Sequence, residues 1–431
     1  MADDLRSWLS KVEALEDVRR VEGANWDLEI GCLTALNWKE MGPALLFDKI
    51  KGYPAGLRVL TNSILAPNRT KIMLGLPLDY SDKQVWKALR EKLPQWETNL
   101  DKFSPVAVKS GPVMENVLTG QNINLLSFPV PKWNEKDGGR YIGTGDAVIT
   151  RDMDTGELNI GTYRVMVQDE RTAGLHISPG KHGRLHLEKY HSRGLPCPIL
   201  VSIGHHPLFF AIASNSWPAG TEYQYIGAIR GEPVEVIEEE VTGLPMPADS
   251  ELVIAGWCPP GKTRPEGPFG EYTGYYASGE RPGLIIEVER IYHRNNPIIL
   301  GSPPGRSPSD TTYFHSPLGS MLIERELKKF GIPDVMGVWT HAICAQYFVT
   351  VSIKQRFAGH AKQAALIASE AATKGGLGGR YVIVVDEDID VTDLRHVLWA
   401  LCTRSDPEKD INIISRVRST PLDPIIRRPV S

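Results

Sequence analysis

From about Asn116 to Pro304 the chain is a succession of short β-rich runs broken by Gly and Pro: GDAVITRD, NIGTYRVMVQ, PILVSIG, FFAIAS, LVIAGW and LIIEVERIYH. Strands this short bury their apolar residues only by packing as a sheet that closes on itself or on a second sheet. The pattern therefore predicts a β-barrel or sandwich. One helix is predicted inside it, from about Lys181 to Ser192, where His182, His186 and Tyr190 fall at i, i+4 and i+8 on one face.

The flanks have a different texture. Ahead of the β-rich stretch, Leu5, Trp8, Leu9, Val12 and Leu15 have helical spacing, Ala44 to Phe47 is an apolar run, and a charged helix is predicted near Asp82 to Leu93, so this part reads as α+β. Behind it, SMLIERELKKF reads as a helix stopped by Gly331 and Pro333. Strand FVTVSI, helix AKQAALIASEAA, strand YVIVVDED and a helix DLRHVLWALC capped by Thr392 follow. Strand, helix, strand in that order implies parallel pairing through a right-handed crossover. Lys374 to Arg380, KGGLGGR, follows a helix and precedes a strand, the reverse of a dinucleotide fingerprint, and reads as a loop. With 431 residues, two or three domains are expected.

The 42% hydrophobic and 23% charged residues are those of a globular chain, which excludes disorder and fibrous architecture. A net charge of −4 from 48 basic and 52 acidic residues supplies no single-sign field for nucleic acid or anionic lipid, and favours a small-molecule role. Cys32, Cys197, Cys258, Cys344 and Cys402 are odd in number and form no C-x-x-C, so neither a disulfide framework nor a thiolate zinc site is expected. The start, MADDLRSWLSKVEALEDVRR, lacks the apolar core of a signal peptide, and the expected location is the cytoplasm. The uncharged runs Cys197 to Gly220 and Val335 to Ile353 contain His, Pro, Asn or Gln that lipid would penalise, so both read as buried strands and no membrane span is expected.

Chemistry concentrates in a few places. Glu266-Gly-Pro-Phe-Gly-Glu271 puts two carboxylates around a rigid turn; held close together or against apolar surface, one of them stays protonated near neutrality and can act as a general acid. A surface hairpin with charged flanks would use the same residues. Arg164 lies among apolar and β-branched neighbours, where a guanidinium needs a carboxylate partner or an anionic ligand. Regular alternation would place Asn159 and Arg164 on opposite faces, so a shared site requires a strand end or a bulge between them. His182-x-x-x-His186 has the spacing of a zinc helix, but Gly183 stands where a metalloprotease carries its catalytic Glu. An oxygen-rich Mn²⁺ or Mg²⁺ site could instead combine His182, Asn159 and Glu222. There is no G-x-S-x-G elbow and no Walker loop.

Taken together, the segment from Asp152 to Glu157 leading into NIGTYRVMV, then GKHGRLH, TEYQYIGAIRGEPVEVI, PEGPFGEYTGYY, VSIKQRFAGHAKQAA and WALCTRSDP, resemble the UbiD family of decarboxylases in family order over essentially the whole chain. The resemblance implies an N-terminal α+β domain at 1–115, a flavin-binding split β-barrel at 116–312 and a C-terminal α/β domain at 313–431 that mediates homodimers or homohexamers. It implies prenylated FMN as cofactor, made by a UbiX-type flavin prenyltransferase, with Mn²⁺ or Mg²⁺ held by Asn159, His182 and Glu222. Ile160, Thr162, Arg164, Lys181, Ser214 and Lys354 complete the implied cofactor contacts, with Lys354 at the phosphate. Arg404 is implied to help organise K⁺.

Arg164, Glu266 and Glu271 correspond to the family's Glu-Arg-Glu network. The implied reaction is a reversible, non-oxidative decarboxylation of an α,β-unsaturated or aromatic acid through a cycloadduct with the flavin. In it Arg164 orients the carboxylate and Glu271 protonates the carbon that loses CO₂. The chain ends at Ser431, so the long C-terminal extension of the ubiquinone-biosynthesis members is expected to be absent, and with it a polyprenyl substrate. Trp217, His315 and Leu318 are expected to line a pocket for a small aromatic or heteroaromatic acid. Two other classes stay open at this level: an FMN-dependent oxidoreductase on a split barrel, and a noncatalytic subunit of a decarboxylase assembly.

Overall fold

The computed structural model describes residues 3–374, 379–417, 419 and 422–425, so residues 375–378 of the predicted KGGLGGR loop lie outside the described residues. Its centre is a ten-stranded sheet. Eight strands run in the order Arg140–Gly143, Arg164–Val167, Thr172–His176, Arg281–His293, Leu252–Cys258, Cys197–Ile203, Ala147–Arg151, Leu158–Gly161. Thr263–Glu266 and Asn116–Thr119 also pair with the long strand Arg281–His293, and every pairing is antiparallel.

That order forces the sheet to curl. Leu158–Gly161 ends the path and Arg164–Val167 is second from its other end, yet only Thr162 and Tyr163 join them. Six strand steps in a flat sheet would separate the two strands by about 29 Å. Three residue steps reach at most about 11 Å. The sheet therefore bends into a half-barrel with an unpaired seam between these strands, and across it the Thr162 N–H donates to the Ala213 carbonyl at 3.1 Å. This crossing also answers the requirement set by the alternation. Asn159 and Arg164 belong to two separate strands, so NIGTYRVMVQ is not one strand.

The runs GDAVITRD, PILVSIG, LVIAGW and LIIEVERIYH form strands as their patterns predict. FFAIAS does not: Pro207–Ala213 is a helix, started by Pro207 and capped by His206, whose side chain accepts the Leu208 N–H. All seven of its residues are buried, which erases the periodicity that would distinguish helix from strand. The sheet itself is buried on both faces, with Leu200 and Val253 in one apolar cluster and Ile199, Val201 and Ile254 in another.

In the N-terminal part, helix Leu5–Glu13 buries Leu5, Trp8, Leu9 and Val12. Leu15 falls beyond its end and is 40% exposed. The charged helix runs from Asp82 to Thr98, through Pro94. The four-stranded sheet here is completed from outside residues 1–115, because Ile298–Leu300 pairs in parallel with Arg58–Thr61.

In the C-terminal part, Val335–Thr340 pairs antiparallel with Phe348–Ile353, which pairs in parallel with Tyr381–Asp386. Helix His360–Lys374 makes the crossover. The last long helix, Leu394–Arg404, is capped not by Thr392 but by Asp393, whose carboxylate accepts the Arg395 and His396 N–H groups. Among the described residues no helix is long and apolar enough to cross a membrane.

Candidate active site

Arg164 opens the strand that leaves the seam, and Glu266 closes a strand on the neighbouring side of the half-barrel. The guanidinium forks onto Glu266, with Nε donating to Oε1 at 2.7 Å and Nη2 to Oε2 at 2.8 Å, while Nη1 donates to Glu271 Oε1 at 2.8 Å. The three side chains are 8%, 1% and 7% exposed. The two carboxylates that a surface hairpin would have left in solvent are therefore buried on Arg164, with Arg281 Nε standing 3.9 Å from Glu266 Oε2.

The turn between them is held by its surroundings. Gly267 has φ +84°, a left-handed conformation that favours glycine, and Asp137 Oδ1 accepts the Gly270 N–H at 3.0 Å. Phe269 lies under the guanidinium at 5.1 Å from its ring centre, with the Tyr141 ring 4.3 Å from its own. The Tyr141 hydroxyl donates to Glu266 Oε1 at 3.3 Å. Tyr141, Asp137 and Phe269 went unnoticed in the sequence; only the position of Phe269 inside the Glu-x-x-x-x-Glu turn could have marked it.

Burial pushes Glu271 up to about 7, with Arg164 opposing and the negative Glu266 reinforcing the shift. Burial also opposes the charge on Arg164, but its bond to Glu266 and the field of both carboxylates raise its pKa. The network is thus a fixed guanidinium with one carboxyl poised to give or take a proton near neutrality. Behind it, burial and the charges of Arg164 and Arg281 hold His176 at about 3, a neutral imidazole against Arg281 Nη2.

A second polar group lies along the seam around Tyr163. Asn159 Nδ2 stands 3.4 Å from both the Thr150 and the Tyr163 hydroxyl oxygens, and the Tyr163 hydroxyl accepts the Gly183 N–H at 3.3 Å. Gly183 follows His182, the exposed first residue of helix His182–Ser192. A Cβ at position 183 would lie 2.8 Å from the Tyr163 ring and 3.2 Å from Asn159 Nδ2. The glycine that argued against a protease thus lets this helix approach the Asn159 strand. His186, its helical partner in the sequence, turns inward to Thr150 Oγ1 at 2.9 Å.

Glu222 begins a helix, is 4% exposed, and leaves Oε2 without a partner. Burial pushes it up to about 8, against the hydrogen bond from the Ile160 N–H. An amide, an imidazole and a buried carboxylate with a free oxygen are hard donors that fit Mn²⁺ or Mg²⁺. Among the described residues His, Cys, Asp and Glu alone assemble no three-donor cluster, so such a site has to recruit the Asn159 amide.

Of the other expected contacts, Ile160 is buried beside Asn159, and Ser214 Oγ stands 3.1 Å from Thr162 Oγ1 across the seam. Lys181 precedes the His182 helix, and its charge lowers the pKa of His315. Lys354 stands apart: it is exposed beyond the end of strand Phe348–Ile353, with its N–H bonded to the Asp334 carbonyl. Arg404 is forked onto Asp388 at 2.8 and 2.6 Å.

His315 Nδ1 is 3.0 Å from Asn215 Oδ1, and burial holds its imidazole at about 3. Leu318 and Trp217 are packed in the core, where the Trp217 indole lies 4.1 Å from the Tyr225 ring and donates to the Ile212 carbonyl. A cavity of about 500 Å³ opens elsewhere, against Glu271, with Trp38, Asn134, Tyr275, Tyr276 and Arg306 on its walls. None of Trp217, His315 and Leu318 lines it.

Three domain models described for 3-octaprenyl-4-hydroxybenzoate carboxy-lyase match the chain, the N-terminal one over residues 9–90, the Rift-related one over 105–307 and the C-terminal one over 312–430. The chain is 34% identical to the phenolic acid decarboxylase of Bacillus subtilis, over 92% of its own length and 83% of that protein's. To the pyrrole-2-carboxylic acid decarboxylase of Pseudomonas aeruginosa it is 32% identical, over 96% and 84%. Among solved structures, the vanillic acid decarboxylase of Sedimentibacter hydroxybenzoicus in open form superposes with a TM-score of 0.85 at 33% identity, covering 98% of this chain and 89% of that one. HmfF of Pelotomaculum thermopropionicum, a UbiD-class enzyme in complex with prFMN, also superposes at 0.85, with 27% identity over 96% and 92%.

Proposed function

The chain belongs to the UbiD family of carboxy-lyases, and from that premise we propose that it removes CO₂, reversibly and without net oxidation, from a small aromatic or heteroaromatic carboxylic acid. The observation that carries the reading is the buried fork of Arg164 between Glu266 and Glu271, with Glu271 poised near 7 against a cavity. Arg164 orients the substrate carboxylate. Glu266 keeps the guanidinium charged and in place. Glu271 enters protonated and delivers its proton to the carbon that has lost CO₂.

Prenylated FMN, when bound, supplies the electron sink for that carbon. Thr162 and Ser214 on the seam, with Ile160 and Lys181, would hold it. Asn159, His182 and Glu222 would hold Mn²⁺ or Mg²⁺ to neutralise its phosphate. A UbiX-type prenyltransferase would supply the cofactor. The five cysteines, odd in number and without a C-x-x-C, suit a reducing compartment, the cytoplasm.

The test compares protein co-expressed with a flavin prenyltransferase to protein expressed without it, by mass spectrometry of the bound flavin and CO₂ release from hydroxybenzoic, indole-, pyrrole- and aliphatic enoic acids. Release from ring acids by the first sample alone is expected. Turnover of aliphatic enoic acids only would overturn the substrate class. Plain FMN with NAD(P)H consumption would replace the reading by an oxidoreductase, and bound prenylated FMN with no turnover of any acid by a noncatalytic subunit.

A further inference from the structure

Arg164 does not hold the two glutamates alone. Residues directly opposite each other on antiparallel strands share a face of the sheet, with Cβ atoms about 4.5–5.5 Å apart. His176 is opposite Arg164, and Arg281 is opposite Glu266. The two pairs adjoin, because strand Thr172–His176 also pairs with strand Arg281–His293, with Leu175 opposite Leu284. Four strands thus set Arg164, His176, Arg281 and Glu266 side by side.

Arg281 closes this group. Its Nε is 3.9 Å from Glu266 Oε2, and its Nη2 stands 3.1 and 3.0 Å from the two ring nitrogens of His176. Burial, with the charges of Arg164, Arg281 and Arg184, holds that imidazole neutral, so a ring nitrogen can accept the guanidinium N–H where an imidazolium would repel it. Position 283 completes the fit. A Cβ on Gly283 would lie 2.5 Å from Glu266 Cβ, so the absence of a side chain there lets Glu266 lie against the strand that carries Arg281.

We infer that Arg281 is a positioning residue of this site: clamped by the neutral His176, it holds the charge on Glu266, so that the proton of the network stays on Glu271. The inference rests on the Glu-Arg-Glu reading above and adds to it a second cation with its own support. Two carboxylates bonded to one guanidinium in a buried site would share a proton between them. A second cation on the Glu266 side breaks that equivalence. Burial dominates the pKa of Glu271, and Arg281 joins Arg164 in lowering it. The other elements packed around the network bring the Tyr141 hydroxyl onto Glu266, the Asp137 carboxyl onto the Gly270 N–H, and the Tyr272 hydroxyl, bonded to Tyr347, beyond Glu271. Lys39 and Arg306 face it across the cavity.

The experiment follows melting temperature against pH for the full chain free of flavin, with and without Glu271→Gln. The difference between the two falls as pH rises and levels off once pH passes the folded-state value of Glu271, about 7 in the parent. In an Arg281→Gln background the levelling point is expected to move upward by about half a pH unit or more, the effect left to an opposite charge that is 33% exposed. Arg281→Lys keeps a cation and is expected to return the point to the parental pH. His176→Leu changes no charge yet releases Arg281, and is expected to move the point in the same direction as Arg281→Gln. A levelling point at the parental pH in Arg281→Gln or in His176→Leu overturns the inference, as does an equal displacement in Arg281→Lys. A merely structural arginine would lower the melting temperature at every pH without moving that point. If Arg281→Gln does not fold, His176→Leu decides: displacement supports the clamp and coincidence overturns it. On flavin-loaded protein the alkaline decline of product formation is expected to shift with the melting data. A parent that forms no product from any acid overturns the proposed reaction, while the melting test, which needs neither flavin nor substrate, decides the role of Arg281 separately.

Discussion

At the scale of single residues, the site is a problem in burying charge. Glu266 and Glu271 share the Arg164 guanidinium, with Arg281 at the edge of the group, and desolvation outweighs both cations and loads a proton onto Glu271 near pH 7. Glu271→Gln keeps the shape and the bond to Arg164 but has no proton to give, so CO₂ release should fall by about 10²- to 10⁴-fold while flavin stays bound. Product formation and multiple-turnover CO₂ release on flavin-loaded protein check it.

Because the acid form is the active one, turnover should be level below pH 7 and decline above it, approaching tenfold per pH unit. A rate that instead rises through pH 7 would make Glu271 a base. The same shift acts on stability. The folded-state pKa of Glu271 is raised, so the stability it contributes is complete below its unfolded value of about 4.5 and is lost as pH rises through about 7. The melting temperature of the parent relative to Glu271→Gln should therefore drop between pH 5 and 8. Of this network the sequence shows the two glutamates bracketing a turn and an arginine in need of a partner. That they meet, at separations of 102 and 107 residues, is set by the sheet order alone.

At the scale of elements, the decisive feature is the two-residue crossing at Thr162-Tyr163. NIGTYRVMVQ has the composition of one strand throughout, and only its pairing partners divide it: Leu158–Gly161 pairs with Ala147–Arg151, and Arg164–Val167 with Arg140–Gly143 and Thr172–His176. The break puts the Asn159 and Arg164 groups on either side of the seam, with Tyr163 between them and the start of the His182 helix. Gly183→Ala tests this junction. Alanine gains up to about 1 kcal/mol of helix propensity over glycine. Its methyl would crowd the Tyr163 ring at 2.8 Å, and such overpacking costs about 1–3 kcal/mol. The clash is expected to win, displacing His182 from Asn159. The check is a melting curve with an FMN titration in Mn²⁺, where affinity should fall about tenfold or more.

At the scale of the whole molecule, the parts of the chain are threaded together: Ile298–Leu300 completes the N-terminal sheet, and Phe314 and Leu318 join the core shared by the N-terminal helices and the half-barrel. We propose 1–115, 116–312 and 313–431 as a division of the chain by segment, across which these packing contacts run. The C-terminal part leaves apolar surface uncovered. Tyr381 on the terminal strand of its sheet is 58% exposed, and Leu398 and Trp399 on the last long helix are 43% and 51% exposed. Such a patch beside an open strand suits a second copy of the chain. Light scattering should give a homodimer or homohexamer, and Trp399→Glu should shift it toward monomer without loss of flavin from the half-barrel; an unshifted mass would place the interface elsewhere.

The amino-acid sequence by itself determined the β-rich centre, the helix carrying His182, the α/β tail and the identity of the charged groups, because each depends on local periodicity, turn residues and side-chain chemistry. The tertiary structure alone decided that FFAIAS is a helix, that Asp393 rather than Thr392 caps its helix, that Trp217 and Leu318 are core, and that the cavity opens at Glu271. Those outcomes turn on complete burial, on competition between adjacent caps, and on the convergence of segments a hundred or more residues apart. Desolvation, which sets the proton on Glu271, exists only once the chain has closed around it.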